Sequence, residues 1–140
     1  MAINADRRDY KNAFYRHYTH YCNLDNKKSS TASLLLTYSV ECGLKYLLMH
    51  NCRIQNYKQA QADTVMNLNT HDFRRLLKSL NQLGTYKFES IRTIHGDSVE
   101  PKNYHELCRY AVKLDEVNYR KASTYDMNLQ KIVKWIGEVM

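Results

Sequence analysis

The stretch Thr31–Asn51, TASLLLTYSVECGLKYLLMHN, decides the fold. Leu34, Leu35, Leu36, Tyr38, Val40, Leu44, Leu47 and Leu48 spread over most of a helical circumference. A helix that is apolar on most sides belongs at the centre of a bundle. Ser29, Ser30 and Thr31 offer N-cap side chains at its start. Glu41 and Lys45 are four apart and can pair along the helix. Gly43 costs up to about 1 kcal/mol in a helix interior relative to Ala, which calls for a close helix crossing at that point as compensation.

Working outward, Ala5–Cys22 carries Tyr10, Phe14, Tyr18 and Tyr21 at spacings of four, four and three, one helical face. Asn23–Ser30 is polar and reads as a loop. On the other side, residues 52–70 are polar, with a short helix over Ala60–Met66. Thr70 then N-caps a third helix, with Asp72 near its positive end and Phe73, Leu76, Leu77 and Leu80 on one face. Gly84 is read as its stop. Residues 85–102, with Gly96 and Pro101, form a long excursion. A fourth helix starts near Asn103 with Leu107, Tyr110, Ala111 and Leu114, and Val117 extends its stripe. Arg120–Thr124 reads as a polar joint before a last helix, Tyr125–Val139, with Leu129, Ile132, Val133, Ile136 and Val139 on one face. The expected architecture is all-α: one up-and-down antiparallel bundle of four to five helices, near 5–22, 31–51, 71–83, 103–118 and 125–139.

Composition agrees. The 140 residues suit one domain, and 44% apolar with 25% charged suits a folded chain. Four glycines and one proline are too few for a turn-rich β-sandwich or barrel. No run of about 18 apolar residues exists, so no membrane span is expected. Residues 1–30 lack a secretory signal pattern, so the expected location is cytoplasmic. Cys22, Cys42, Cys52 and Cys108 include no CxxC pair and no zinc-finger spacing with His, and are expected to be reduced, with Cys42 in the core. The net charge of +7 fits an anionic partner such as nucleic acid, although the positive charges are dispersed.

Three fragments together resemble the HEPN family. Ala32–Leu48, with an acidic residue followed by apolar-Lys-x-Leu-Leu, resembles the second helix of those domains. His71–Leu77 resembles the opening of their third helix, and Tyr119–Ser123 resembles the Arg-Tyr-type segment before their closing helix. The resemblance covers residues 5–139. It implies a helical bundle that dimerises or docks a protein partner, with RNA, nucleotide, toxin–antitoxin or antiviral-defence associations. It also implies, in catalytic members, metal-free RNA cleavage by an Arg-x4-6-His motif, with no cofactor. This chain departs from that motif. None of its six His residues has an Arg five to seven positions upstream. The expected function is therefore a non-catalytic binding module. The alternatives are a metal-independent ribonuclease with a relocated Arg/His pair, and a structural helical adaptor.

Arg16 and His20 share a helix face at i and i+4 and are the best relocated pair. A phosphate fits between a guanidinium and an imidazole, and His moves protons near neutral pH. Arg92 and His95, in the long excursion, and Arg120 and Lys121, in the third fragment, complete the candidate nucleic-acid or nucleotide contacts. His50 reads as helix-end chemistry and His71-Asp72 as helix-start chemistry. Twelve tyrosines favour a protein interface, with Tyr10, Tyr18, Tyr38, Tyr46 and Tyr110 also suited to the core edge. No Gly-rich phosphate loop, HExxH or GxSxG is present.

Overall fold

The computed structural model describes residues 5–56, 58–59, 68, 70–82 and 84–140. The described residues form an all-α bundle of five helices with one two-stranded hairpin: α1 (Arg7–Cys22), α2 (Ser30–Asn51), α3 (Phe73–Ser79), β1 (Ile91–Arg92), β2 (Ser98–Val99), a 3-10 turn at Pro101–Asn103, α4 (Tyr104–Arg109) and α5 (Glu116–Val139). The segment Ala60–Met66, read as a short helix, lies outside the described residues. No helix among them is long and apolar enough to cross a membrane.

Helix α2 is the centre. Fourteen of its residues are buried, and all four other described helices pack on it. Ser29 caps it by accepting from the Ala32 amide at 3.1 Å. Pairings of Phe14 with Ser39 and Tyr10 with Lys45 set α1 antiparallel to α2. Ser33 meets Asp126, and Gly43 meets Ile136. Residue numbers rise together there, so α5 runs parallel to α2, as alternate members of an up-and-down bundle do. The crossing expected at Gly43 is present. A Cβ there would lie 2.7 Å from Phe14 Cδ1 and 2.8 Å from Ile136 Cδ1.

The smaller elements are held by an aromatic cluster. Phe88 meets Phe73 edge-on at 4.8 Å and Tyr125 at 4.9 Å, while Tyr104 stacks on Tyr125 at 4.5 Å. Such pairs add about 0.5–1.5 kcal/mol each beyond area burial. The cluster fixes α3, the segment before β1, α4 and α5 around one point.

The helix limits differ from the expectation in three places. The third helix spans Phe73–Ser79 rather than 71–83. Its N-cap is Asp72, which accepts from the Arg74 amide, while Thr70 Oγ1 accepts from the Asp72 amide. The fourth helix spans Tyr104–Arg109 rather than 103–118. The last begins at Glu116, so Arg120–Thr124 is helical and not a joint. Asp115 makes that start by accepting from the Asn118 amide at 2.8 Å. Val117 accordingly belongs to α5 and is exposed, and Tyr110 is exposed rather than at the core edge.

One motif ends α2, α3 and α4. The amides of Ile54, Gln82 and Val112 donate to the carbonyls of Met49, Leu77 and Leu107, and those of Arg53, Asn81 and Ala111 to His50, Lys78 and Cys108. This is the Schellman pattern, and Arg53, Asn81 and Ala111 hold its left-handed position at φ 57°, 59° and 50°. None is glycine. Gly84, read as the stop, is not in that conformation.

Gly43→Val will lower stability by about 2 kcal/mol or more in urea unfolding, because overpacking at a tight crossing costs about 1–3 kcal/mol and a β-branched residue adds to it. Gly84→Ala, where nothing lies within 4 Å, will be near neutral. Ala111→Gly will raise stability by up to about 1 kcal/mol, because a left-handed L-residue costs roughly 1–2 kcal/mol and glycine's unfolded-state entropy returns part of the gain.

Candidate functional site

A cavity of about 560 Å³ opens between the start of α2, α4, the α4–α5 connection and the first half of α5. Its walls include Leu107, Val112, Leu114 and Met127, with Tyr119 and the Cys108 thiol. Lys27, Lys28 and Lys113 contribute to its lining from the α1–α2 turn and the α4–α5 connection. The size is that of a site for one small organic ligand.

Asp126 is the carboxylate of this cavity. Ser33 Oγ donates to its Oδ2 at 2.7 Å, and the Tyr104 hydroxyl donates to its Oδ1 at 2.7 Å. Among the described residues no cation pairs with it. Burial pushes its pKa above the usual carboxylate value, and the two hydroxyl bonds only partly oppose this. Tyr104 and Cys108 are likewise raised, first by burial and then by the Asp126 charge, the thiol to about 12. The thiol therefore stays protonated and is a wall, not a nucleophile.

The lysines differ in their freedom. Lys27 Nζ donates to the Cys22 and Leu24 carbonyls, closing the end of α1, and lies 5.5 Å from the Tyr21 ring. The Lys28 and Lys113 ammonium groups are exposed and, among the described residues, carry no ion pair. The site thus combines apolar walls, a desolvated acceptor and positive charge.

A second polar group lies where α2, α3 and α4 meet. Glu41 is buried, with Lys45 Nζ 3.3 Å from Oε2 and His71 Nδ1 2.9 Å from Oε1. The His71 and His105 rings are 4.3 Å apart. The expected Glu41–Lys45 pair is present, and it is buried in the core. Burial first, then the neighbouring His71, hold His105 below its ordinary 6.5. Among the described residues no three His, Cys, Asp or Glu side chains are placed to hold a metal ion.

The residues singled out from the sequence do not line the cavity. Arg16 and His20 are exposed one turn apart on α1. Beside them His17 packs against Tyr38, and its pKa is lowered by burial and then by His20 and Arg16. Arg92 Nη1 donates to the Gly96 carbonyl of its own hairpin, and His95 is exposed in that turn. Arg120 pairs with Glu116 at 2.7 Å on the surface of α5, and Lys121 is half-buried beside it. The structure joins the hairpin to α5 through the Arg92 amide, which donates to Asn118 Oδ1 at 2.8 Å. It does not bring these three pairs into one constellation.

Sequence reasoning missed Ser33, Tyr104, Asp126 and Lys113. One signal was available. Ala122, Asp126, Leu129 and Val133 are spaced four, three and four, which puts a carboxylate on the apolar stripe of the last helix.

Asp126→Asn will melt no lower than the parent at pH 7. A half-buried acid with a raised pKa is destabilised by ionising, and the amide removes that charge while keeping partners for Tyr104 and Ser33. His105 has the opposite dependence. The unfolded chain takes up its proton first as pH falls, so stability drops below about pH 6.5 and the loss is complete below the folded pKa. Thermal melts from pH 8 to 5 will show this, and His105→Gln will flatten part of the slope, with His17 supplying another part.

The chain matches no family model, no curated protein and no solved structure.

Proposed function

We propose that this chain is a HEPN-like helical module that binds a nucleotide, free or within RNA, without cleaving it, and that dimerises or docks a protein partner. The observation that carries the reading is the cavity holding Asp126, with Lys28 and Lys113 in its lining. A nucleotide has a flat, partly apolar base with polar edges and a phosphate. Apolar walls suit the first, a desolvated acceptor suits the edge, and free lysines suit the last. The Arg-x4-6-His spacing is absent from the sequence, and the chemistry of the cavity is that of holding. Its carboxylate is fixed by two hydroxyls and its thiol is protonated.

Exposed Tyr110, Tyr119 and Met127 are the residues suited to a protein contact. The ribonuclease alternative retains one favourable observation, the shared exposed face of Arg16 and His20.

Two measurements test the reading. Pure protein incubated with mixed RNA in EDTA will leave it intact; cleavage by the parent but not by Arg16→Ala/His20→Ala would establish the ribonuclease instead. Nucleotide binding followed by calorimetry will weaken with salt, and Lys28→Ala/Lys113→Ala will weaken it by roughly tenfold or more, the size of a lost charge-assisted contact. Absence of any nucleotide or RNA binding would leave the structural adaptor.

A further inference from the structure

The arrangement at Asp126 selects among ligands by hydrogen-bond pattern. A carboxylate is acceptor-only and offers about four lone-pair sites on two oxygens. Tyr104 occupies one on Oδ1 and Ser33 one on Oδ2. One acceptor position remains on each oxygen, in a group that lines the cavity and has no cation beside it among the described residues. The complement is a ligand with two adjacent N–H donors on one rigid edge. Two common groups have that edge. One is the guanidinium of an arginine. The other is guanine, through N1–H and the 2-amino group. Adenine and cytosine present a donor beside an acceptor on the corresponding edge, and uracil presents one donor between two acceptors. Any of these would set a lone pair against the carboxylate, and a desolvated acceptor facing a lone pair is costly.

Charge separates the two remaining candidates. Lys28 and Lys113 place unpaired positive charge in the lining. A guanidinium satisfies the carboxylate but leaves the lysines without an anion, whereas a base carrying a phosphate offers a partner to both. The half-exposed Tyr119 ring in the wall suits the face of a flat heterocycle.

We infer that the cavity is a guanine-nucleotide site, in which Asp126 accepts from N1–H and the 2-amino group of the base and Lys28 and Lys113 face the phosphate. Ser33 and Tyr104 act as positioning residues that fix the plane of the carboxylate. The inference rests on the nucleotide reading above and narrows it to one base.

Calorimetry with the full chain tests it, using GMP, IMP, AMP, guanosine, arginine methyl ester and two five-nucleotide RNAs that differ only in a central G or A. GMP is expected to bind. IMP, which lacks the 2-amino group, is expected to bind at least about tenfold more weakly, the effect of one lost bond to a charged acceptor. AMP is expected to be weaker still, and guanosine weaker than GMP. Preference for the G-containing RNA with little GMP binding would support the same base contact made within RNA. Asp126→Asn, read beside its melting curve, should erase the difference between GMP and AMP. Equal binding of GMP, IMP and AMP would overturn the guanine assignment while leaving the nucleotide reading intact. Binding of the arginine ester in place of nucleotides would overturn both, as would binding of none of the probes.

Discussion

A helix buried on all sides has nowhere to send its polar side chains. That constraint organises the molecule. Helix α2 buries Ser33, Thr37, Ser39, Glu41 and Lys45 along with its leucines. An unpaired polar group there would cost about 1–3 kcal/mol, and an unpaired charge more. Each therefore needs a partner. Thr37 turns back to the Ser33 carbonyl. Ser39 donates to the Phe14 carbonyl and so fixes α1. Glu41 gathers Lys45 and His71 and so fixes the approach to α3. Ser33 donates to Asp126 and so fixes α5. The apolar residues pull the bundle together, while these few polar bonds select one arrangement of it.

The cavity follows from the last of these bonds. Asp126 is held half-buried at the cavity wall by Ser33 and Tyr104, and among the described residues no cation pairs with it. Such a group is a net burden on the fold. It stands one residue from Tyr125, which lies at the centre of the aromatic cluster, so the backbone that carries the carboxylate is rigid. A destabilising group on a stiff support is the usual state of a ligand-binding position.

The long elements were legible because their stripes are long. Tyr10 to Tyr21, Leu34 to Leu48 and Leu129 to Val139 each span several turns, and Gly43 announced its crossing. The short elements were not. Helices of seven and six residues give too little periodicity to locate their ends. Their stop residues, Asn81 and Ala111, are not glycine, so the chemical sign of a left-handed turn was missing. Asp115 is a cap and Glu116 a first-turn acid, but two adjacent acidic residues carry no periodicity that marks a helix start. Two-residue strands show no alternation at all. The cavity needed three separate elements to meet, and only the stripe position of Asp126 hinted at it. The Glu41–His71–His105 group likewise joins residues that are remote in sequence.

The parallel alignment of α2 and α5 also bears on how the chain assembles. Ser33 and Asp126 are 93 residues apart, whereas the Ser39–Phe14 bond of the antiparallel pair closes only 25. Loop-closure entropy grows with the logarithm of length, so the longer closure costs about 1 kcal/mol more before any contact rewards it. Local contacts form first where topology governs rate. The α1–α2 hairpin is then the early partner, and α5 arrives on a surface already built. Because Asp126 reaches Ser33 only on that arrival, the cavity is a late product of folding, and any molecule that occupies it holds shut a closure of 93 residues.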